Sequence, residues 1–280
     1  MRELARLLAR FAAHDSSVGN RARALGRFTF RQLHKRIVRR PLLVDWEGLR
    51  LEVPVDAKAA AAAYYLGRYE SWELDFLERF LRPGDTALDV GANVGIYSMF
   101  IGKLVAPGGR VFAFEPDPLN FARLEANLRR NRMDWVRPRR AAVGPVDGTA
   151  RFLDGRDCVG RLSESDEGIE VPVVALDGLA LRPLYAKVDV EGFEDGVLRG
   201  ATRMMESGFP LVWQLEMLAA TAAGKQQSIL ETLAAYGYRP FAFSWREGLV
   251  PVDPCARSSQ NFLAIRDPGF VRERLGNWRP

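Results

Sequence analysis

The chain has 280 residues, 48% of them hydrophobic, which suits one large core or a core with an extension. No apolar run approaches about 18 residues and the amino end lacks the apolar centre of a secretory signal, so neither a transmembrane helix nor a leader is expected. The formal charge of +5 is uneven: residues 1–40 carry 11 Lys or Arg and 2 acids, a net of +9, and residues 41–280 sum to −4.

The first segment, residues 1–40, reads as a basic helical arm. Leu4, Leu7, Leu8 and Phe11 fall on one helical face with Arg2, Arg6 and Arg10 on others, and a second basic helix is predicted over Ala22–Val38. Such an arm packs on a domain with its arginines in water, or lies on an anionic membrane surface, or contacts nucleic acid. Residues 41–82 lead into the core. Leu42–Val53 alternates around Glu47-Gly48 as a β-hairpin, Ala57–Leu66 is alanine-rich and helical, and Ser71–Leu81 is a helix stopped by Pro83-Gly84. Cys158 and Cys255 give no disulfide framework and no metal spacing, and read as free thiols in a cytoplasmic protein, with peripheral membrane contact open through the arm.

The main domain is expected over residues 83–270, followed by a tail at 271–280. Strands are predicted near 86–90, 110–115, 138–143, 185–190, 210–216, 237–243 and 261–265, mostly separated by helical patterns. That rhythm implies an α/β fold with a mostly parallel seven-stranded sheet. Asp147-Gly148 and Phe152–Val174 read as an inserted hairpin or flap, carrying Asp154, Asp157, Glu164, Asp166, Glu167 and Glu170.

Three places carry chemistry. Thr86–Ser98 is an apolar strand, an acid, a glycine turn and a helix start, the arrangement that binds nucleotide-like cofactors at the carboxyl end of an open sheet. A dinucleotide fingerprint from Gly91 would need glycine where Asn93 and Ile96 stand. What is present is D-x-G-x-N-x-G, made of Asp89, Gly91, Asn93 and Gly95. A carboxylate there opposes a pyrophosphate but suits the positive sulfonium and ammonium of S-adenosylmethionine. Next, Glu115 ends a second apolar run 24 residues after Gly91, where an acid accepts hydrogen bonds from ribose hydroxyls. Asp117 follows it and joins the predicted cofactor set. Third, Tyr185–Glu194 holds Lys187, Asp189, Glu191 and Glu194 at a strand end. Asp189 and Glu191 are two apart and in phase with Lys187 on extended chain. Three roles stay open for the set: a general base on an acceptor hydroxyl, ligands for a divalent metal that holds sugar hydroxyls, or a structural Lys–carboxylate network. Glu216 ends the next strand and either lines the same cleft or is solvated. Both histidines, His14 and His34, lie in the arm, so a carboxylate or lysine is the natural base.

On Tyr69-Glu70, Pro83-Gly84-Asp85, Asp89–Asn93, Phe114-Glu115-Pro116, Lys187–Glu194, Leu198-Arg199-Gly200 and Asn261-Phe262-Leu263, the chain resembles the FkbM family of S-adenosylmethionine-dependent methyltransferases over roughly residues 65–265. The resemblance implies a class I methyltransferase sheet whose last strand runs antiparallel between the fifth and sixth. It also implies O-methylation of hydroxyls on sugars, glycans or polyketide-like natural products. Two other readings stand beside it: an RNA methyltransferase that uses the basic arm, and a non-catalytic nucleotide-binding scaffold. Against nucleic acid, Asp189-Val190-Glu191-Gly192 lacks the proline pair of amino-methylating nucleic-acid enzymes, neither cysteine sits where a cytosine-directed nucleophile would, and residues 41–280 are net negative.

Overall fold

A computed structural model describes residues 21–55, 58–68, 71–153, 161–163, 167–217, 223–256 and 260–276. The predicted helix through Leu4–Phe11, the Tyr69-Glu70 pair, Cys158 and the flap acids Asp154, Asp157, Glu164 and Asp166 lie outside the described residues. The chain divides into two compact units, one to Leu74 and one from Asp75 onward.

The first unit holds α1 (Arg21–Ile37), a hairpin of β1 (Leu42–Trp46) and β2 (Leu49–Val53), and α2 (Lys58–Leu66). Glu47 and Gly48 both take positive φ, 52° and 75°, the mirror-image turn that matches the twist of two tightly joined strands. Arg31 is buried and donates to the hydroxyl of Tyr65 at 2.7 Å and to the carbonyls of Pro54 and Val55 at 2.9 and 3.2 Å. Arg27 donates to the Tyr64 carbonyl, and the Phe28 and Tyr65 rings pack together. One face of α1 is thus fastened to α2 and to the two residues that follow β2.

Helix α3 (Ser71–Phe80) enters the second unit, where Phe76 stacks on Phe80 and meets Phe243. The core then runs β3 (Thr86–Val90), α4 (Ile96–Val105), β4 (Arg110–Phe114), α5 (Pro118–Arg130) and β5 (Val136–Arg139). An inserted segment follows, with β6 (Ala142–Val143), β7 (Gly148–Leu153), β8 (Arg161–Ser163) and β9 (Ile169–Val174). The core resumes with β10 (Tyr185–Val188), α6 (Glu194–Arg199), α7 (Thr202–Glu206), β11 (Val212–Met217), α8 (Ala223–Ala235), β12 (Arg239–Ser244), β13 (Gly248–Pro251), β14 (Gln260–Ile265) and α9 (Pro268–Leu275).

The main sheet has the order β13-β12-β14-β11-β10-β3-β4-β5. Neighbours from β11 to β5 pair parallel, and β14 runs antiparallel between β11 and β12, where the resemblance places it. The sheet has eight strands rather than seven because β12 folds back on itself to add the edge strand β13. Helices cover both faces. Leu88, Val90, Ala186, Val188, Trp213, Leu215, Phe262 and Ala264 point to a core completed by Val197 and Leu198 of α6, Met204 and Met205 of α7, and Ile229 and Leu233 of α8. By strand alternation the intervening residues face the other way. These are Asp89 on β3, Tyr185 and Lys187 on β10, Gln214 and Glu216 on β11, and Asn261 on β14, and α4 covers part of that side.

The strand predicted at 138–143 divides between two sheets. Val136–Arg139 pairs with β4, and Ala142–Val143 pairs with β9 in a second sheet of order β6-β9-β7-β8. The inserted flap is therefore a four-stranded sheet, not one hairpin. It closes on the core at a narrow seam: Gly144 donates to Val174, and a Cβ on Gly200 would lie 2.0 Å from the Gly144 carbonyl oxygen. Just beyond β9, the Asp177 carboxylate accepts from the backbone of Arg203 at 3.0 Å and Met204 at 2.8 Å, capping α7.

Candidate active site

The site forms where β3, β10 and β11 end side by side. Gly91 takes φ 84°, Asn93 φ 51° and Gly95 φ 91°, so the loop after β3 reverses through three left-handed residues. Asn93 is the side chain that tolerates this conformation best, and its own Oδ1 accepts from Val94 at 2.8 Å. Gly91 and Ala92 both donate to the Phe114 carbonyl, which ties the loop to the end of β4. A Cβ at Gly91 would lie 1.9 Å from the Asp189 carbonyl oxygen, so only glycine lets the two loops touch.

Asp89 is buried on β3. Its Oδ2 accepts from the Ser98 hydroxyl of α4 at 2.5 Å, while its Oδ1 is buried and has no hydrogen-bond partner. Burial raises the Asp89 carboxyl above the usual range, opposed by the Lys187 ammonium and the Ser98 bond. Glu115 is buried too. One oxygen accepts from the Asn93 backbone at 2.7 Å and the other from Asp117 at 2.9 Å, and burial pushes the carboxyl up to about 7. Each oxygen keeps a lone pair for a further donor. Asp117 is the N-cap of α5, accepting from Asn120 at 2.6 Å. A buried acid with one oxygen unpartnered, a second acid at the next strand end and a glycine loop between them fit a cationic, ribose-bearing methyl donor.

Lys187 crosses from one half of the site to the other. It lies between Asp89 of β3 and Gln214 of β11 in the sheet register. Its buried ammonium pairs with Asp189 Oδ2 at 2.6 Å and sits over the Tyr97 ring at 4.5 Å. Burial would raise the Asp189 carboxyl, but Lys187 and a hydrogen bond with Glu216 outweigh it and hold Asp189 below the ordinary carboxylate range. Glu191 takes φ 53° and Gly192 φ 98° just beyond the strand. A left-handed Glu is uncommon and marks a loop held in place by its surroundings. Burial and the charges of Asp189 and Glu194 push Glu191 up to about 7, and burial with Asp189 pushes Glu216 up to about 8. Asp189, Glu191 and Glu216 each place a carboxylate oxygen within 4.8 Å of the others, close enough to hold a cation between them. Asn261 lies beside Glu216 in register.

The predicted residues do not converge as one set. Asp89, Gly91, Asn93, Gly95 and Glu115 form one half, and Lys187, Asp189 and Glu191 the other. Glu194 opens α6, is buried, and accepts from the Gly192 backbone at 3.0 Å, so it clasps the loop that bears Glu191. Glu216 takes its place as third acid. Ser98, Tyr97 and Gln214 were not singled out by sequence. Gln214 is a buried polar residue inside an apolar run, in phase with Glu216, and its Oε1 accepts from Tyr185 at 2.6 Å. That alternation was its only sequence signal.

An open, mainly parallel sheet with the antiparallel β14 inserted, an acid–glycine turn after its first core strand and an acid closing the next defines a class I, S-adenosylmethionine-dependent methyltransferase. The methyltransferase FkbM domain matches residues 89–240, more than half of the chain, and the chain belongs to that family. It is similar to the 31-O-demethyl-FK506 methyltransferase FkbM of Streptomyces tacrolimicus, 30% identical over 196 residues, covering 56% of this chain and 74% of that protein. It is also similar to the hexuronic acid methyltransferase AglP of Haloferax volcanii, 29% identical over 188 residues, covering 59% and 77%. The crystal structure of a methyltransferase FkbM from Methylobacillus flagellatus KT matches at 17% identity and a TM-score of 0.46, covering 72% of this chain and 53% of that chain, about half its length.

Proposed function

We propose that the protein transfers a methyl group from S-adenosylmethionine to a hydroxyl of a sugar, glycan or natural product. The observation that carries this reading is the Asp189–Glu191–Glu216 trio, packed through Asp189 directly against the Gly91 turn. When bound, S-adenosylmethionine supplies an electrophilic methyl on a sulfonium. Asp89 and Glu115 hold the donor, Asp89 by its free buried oxygen and Glu115 by its spare lone pairs. A hydroxyl is a weak nucleophile near neutral pH and gains from a base, an effect of about 10²–10⁴-fold where the base pKa lies near the working pH.

Glu191, pushed up to about 7, is that base. Lys187 keeps Asp189 ionised, so Asp189 orients and raises its neighbours rather than taking the proton. Glu216, pushed up to about 8, holds a proton at neutral pH and shares it with Asp189. With Lys187 and that proton offsetting two of the trio's three charges, a base role suits it better than a divalent metal site. Glu194 positions the loop. The names of the two relatives, one for 31-O-demethyl-FK506 and one for a hexuronic acid, support oxygen as the accepting atom and a polyhydroxylated acceptor class.

The test is a panel of hexuronic acids, neutral sugars, macrolide alcohols and RNA incubated with labelled S-adenosylmethionine. Label on a hydroxyl of a small acceptor or glycan supports the assignment. Label appearing in RNA alone would replace it with the nucleic-acid reading, and failure of the protein to bind S-adenosylmethionine in a calorimetric titration would leave a scaffold.

A further inference from the structure

Among the described residues, nine large apolar side chains are exposed, and five of them fall between positions 30 and 43: Phe30, Leu33, Ile37, Val38 and Leu43. Phe30, Leu33 and Ile37 follow i, i+3, i+7 spacing on α1 and so make one stripe, Ile37 being 77% exposed. The stripe lies on the side of α1 away from Arg27, Phe28 and Arg31, whose contacts with α2 and with Pro54 and Val55 after β2 fix the helix orientation. It is therefore presented outward by a folded unit rather than assembled on binding.

Charge accompanies it. Residues 21–40 contain eight Lys or Arg and no acid. Arg27 and Arg31 are engaged inside the unit, but Arg36, Arg39 and Arg40 are exposed at the end of the helix where Ile37 and Val38 emerge.

We propose that this face of α1 docks on an anionic lipid surface, with Phe30, Leu33, Ile37 and Val38 entering the acyl boundary and Arg36, Arg39 and Arg40 meeting acidic headgroups. An apolar stripe bordered by cations is the pattern of helices that lie in a membrane interface. Nucleic acid would use the arginines but gain nothing from exposed leucine, isoleucine and valine. A second copy of the chain meeting this face would bring two sets of cations together. The anionic bilayer is the occupant that satisfies both halves of the pattern. It would hold the enzyme at a surface where lipid-linked or membrane-bound acceptors concentrate.

The experiment is vesicle flotation of the full-length protein with phosphatidylcholine alone and with phosphatidylcholine plus phosphatidylglycerol. Two multiple variants are compared, Phe30→Ser/Leu33→Ser/Ile37→Ser and Arg36→Gln/Arg39→Gln/Arg40→Gln, both at exposed positions and both checked by thermal melting. The protein should float with the anionic vesicles only, and rising salt should release it. Each variant should bind at least tenfold more weakly. Equal binding by the serine variant would overturn the proposal, since charge alone would then account for attachment. So would an absence of flotation. Retention of RNA by the unaltered chain that the serine variant preserves would assign the face to nucleic acid, and a dimer in sedimentation that the serine variant dissolves, without vesicle binding, would assign it to a second copy.

Discussion

Gly91 and Asp189 touch backbone to backbone: a Cβ on the first would sit 1.9 Å from the carbonyl oxygen of the second. The donor loop after β3 and the acid loop after β10 are set against each other by a contact only glycine permits. Replacing Gly91 with Ala forces the loops apart and places an L-residue at φ 84°, which alone costs about 1–2 kcal/mol. Gly91→Ala should lower Tm by several degrees and weaken S-adenosylmethionine at least about tenfold. Gly95→Ala meets a Leu124 methyl at 2.5 Å rather than backbone, and should leave the acid loop in place. Unchanged donor affinity in Gly91→Ala, read by calorimetry, would refute the coupling.

Asp89 and Glu115 are acceptors in confined settings, so amide replacements should be costly although they are nearly isosteric. In Glu115→Gln the new NH2 faces the backbone N–H of either Asn93 or Asp117. In Asp89→Asn the negative charge proposed to face the donor's cation disappears. Each should reduce S-adenosylmethionine affinity by about ten- to a hundredfold, the range expected when charged or paired hydrogen bonds worth about 1.5–3 kcal/mol are lost. Titrations in which both variants bind like the parent protein would remove these residues from the donor site.

Turnover should rise with pH through about 7 as Glu191 loses its proton. Glu191→Gln should lose about 10²–10⁴-fold in kcat with donor affinity unchanged. EDTA should leave the rate intact. A rate abolished by EDTA and restored by a divalent cation would move the trio from base to metal site.

Lys187 neutralises buried charge from two strands. Lys187→Met should destabilise the fold by at least about 2 kcal/mol in urea unfolding, because Asp89 and Asp189 lose their common cation. Lys187→Met with Asp189→Asn should recover part of the loss. If the single variant unfolds at the same urea concentration as the parent, the ammonium contributes little to the fold.

Stability should fall as pH rises. Glu115, Glu191 and Glu216 have folded values above the ordinary carboxyl value of 4.5, so their contribution is full below that value and is lost as pH climbs through about 7 and about 8. Melting curves at a series of pH values should show Tm declining over that window. Glu216→Gln, which removes the highest of the three titrations, should make the decline shallower, and an identical slope would exclude Glu216 as a contributor.

The donor half of the site was legible because its information is local. Asp89, Gly91, Asn93, Gly95 and Glu115 lie on two strand–turn units whose order alone brings them together. The acid half was legible only in part. Glu216 and Gln214 reach Lys187 through the register of β10 against β11, a pairing across nearly thirty residues that no spacing rule records. By sequence Glu194 groups with the other acids, yet the start of α6 turns it onto the Gly192 backbone. The fold followed the same division. Residues 138–143 look like one extended run, but the chain leaves one sheet at Arg139 and joins another at Ala142 with no glycine between them. The edge strand β13 offers only Leu249 and Val250 as apolar signal.

The seam at Gly144, Val174, Asp177 and Gly200 has a further consequence. The inserted sheet leaves and rejoins the core at positions already bonded to each other, by Gly144 to Val174, Ala175 to Asp147 and Asp177 to Gly200. Its boundary behaves as a closed socket, so the stretch between can change in length and sequence without disturbing β10 or the residues it carries. That makes residues 148–173 a cassette for grafting: transplanted from one member of the family to another with the seam residues kept, it should fold on the same core and leave the loops after β3 and β10 in place.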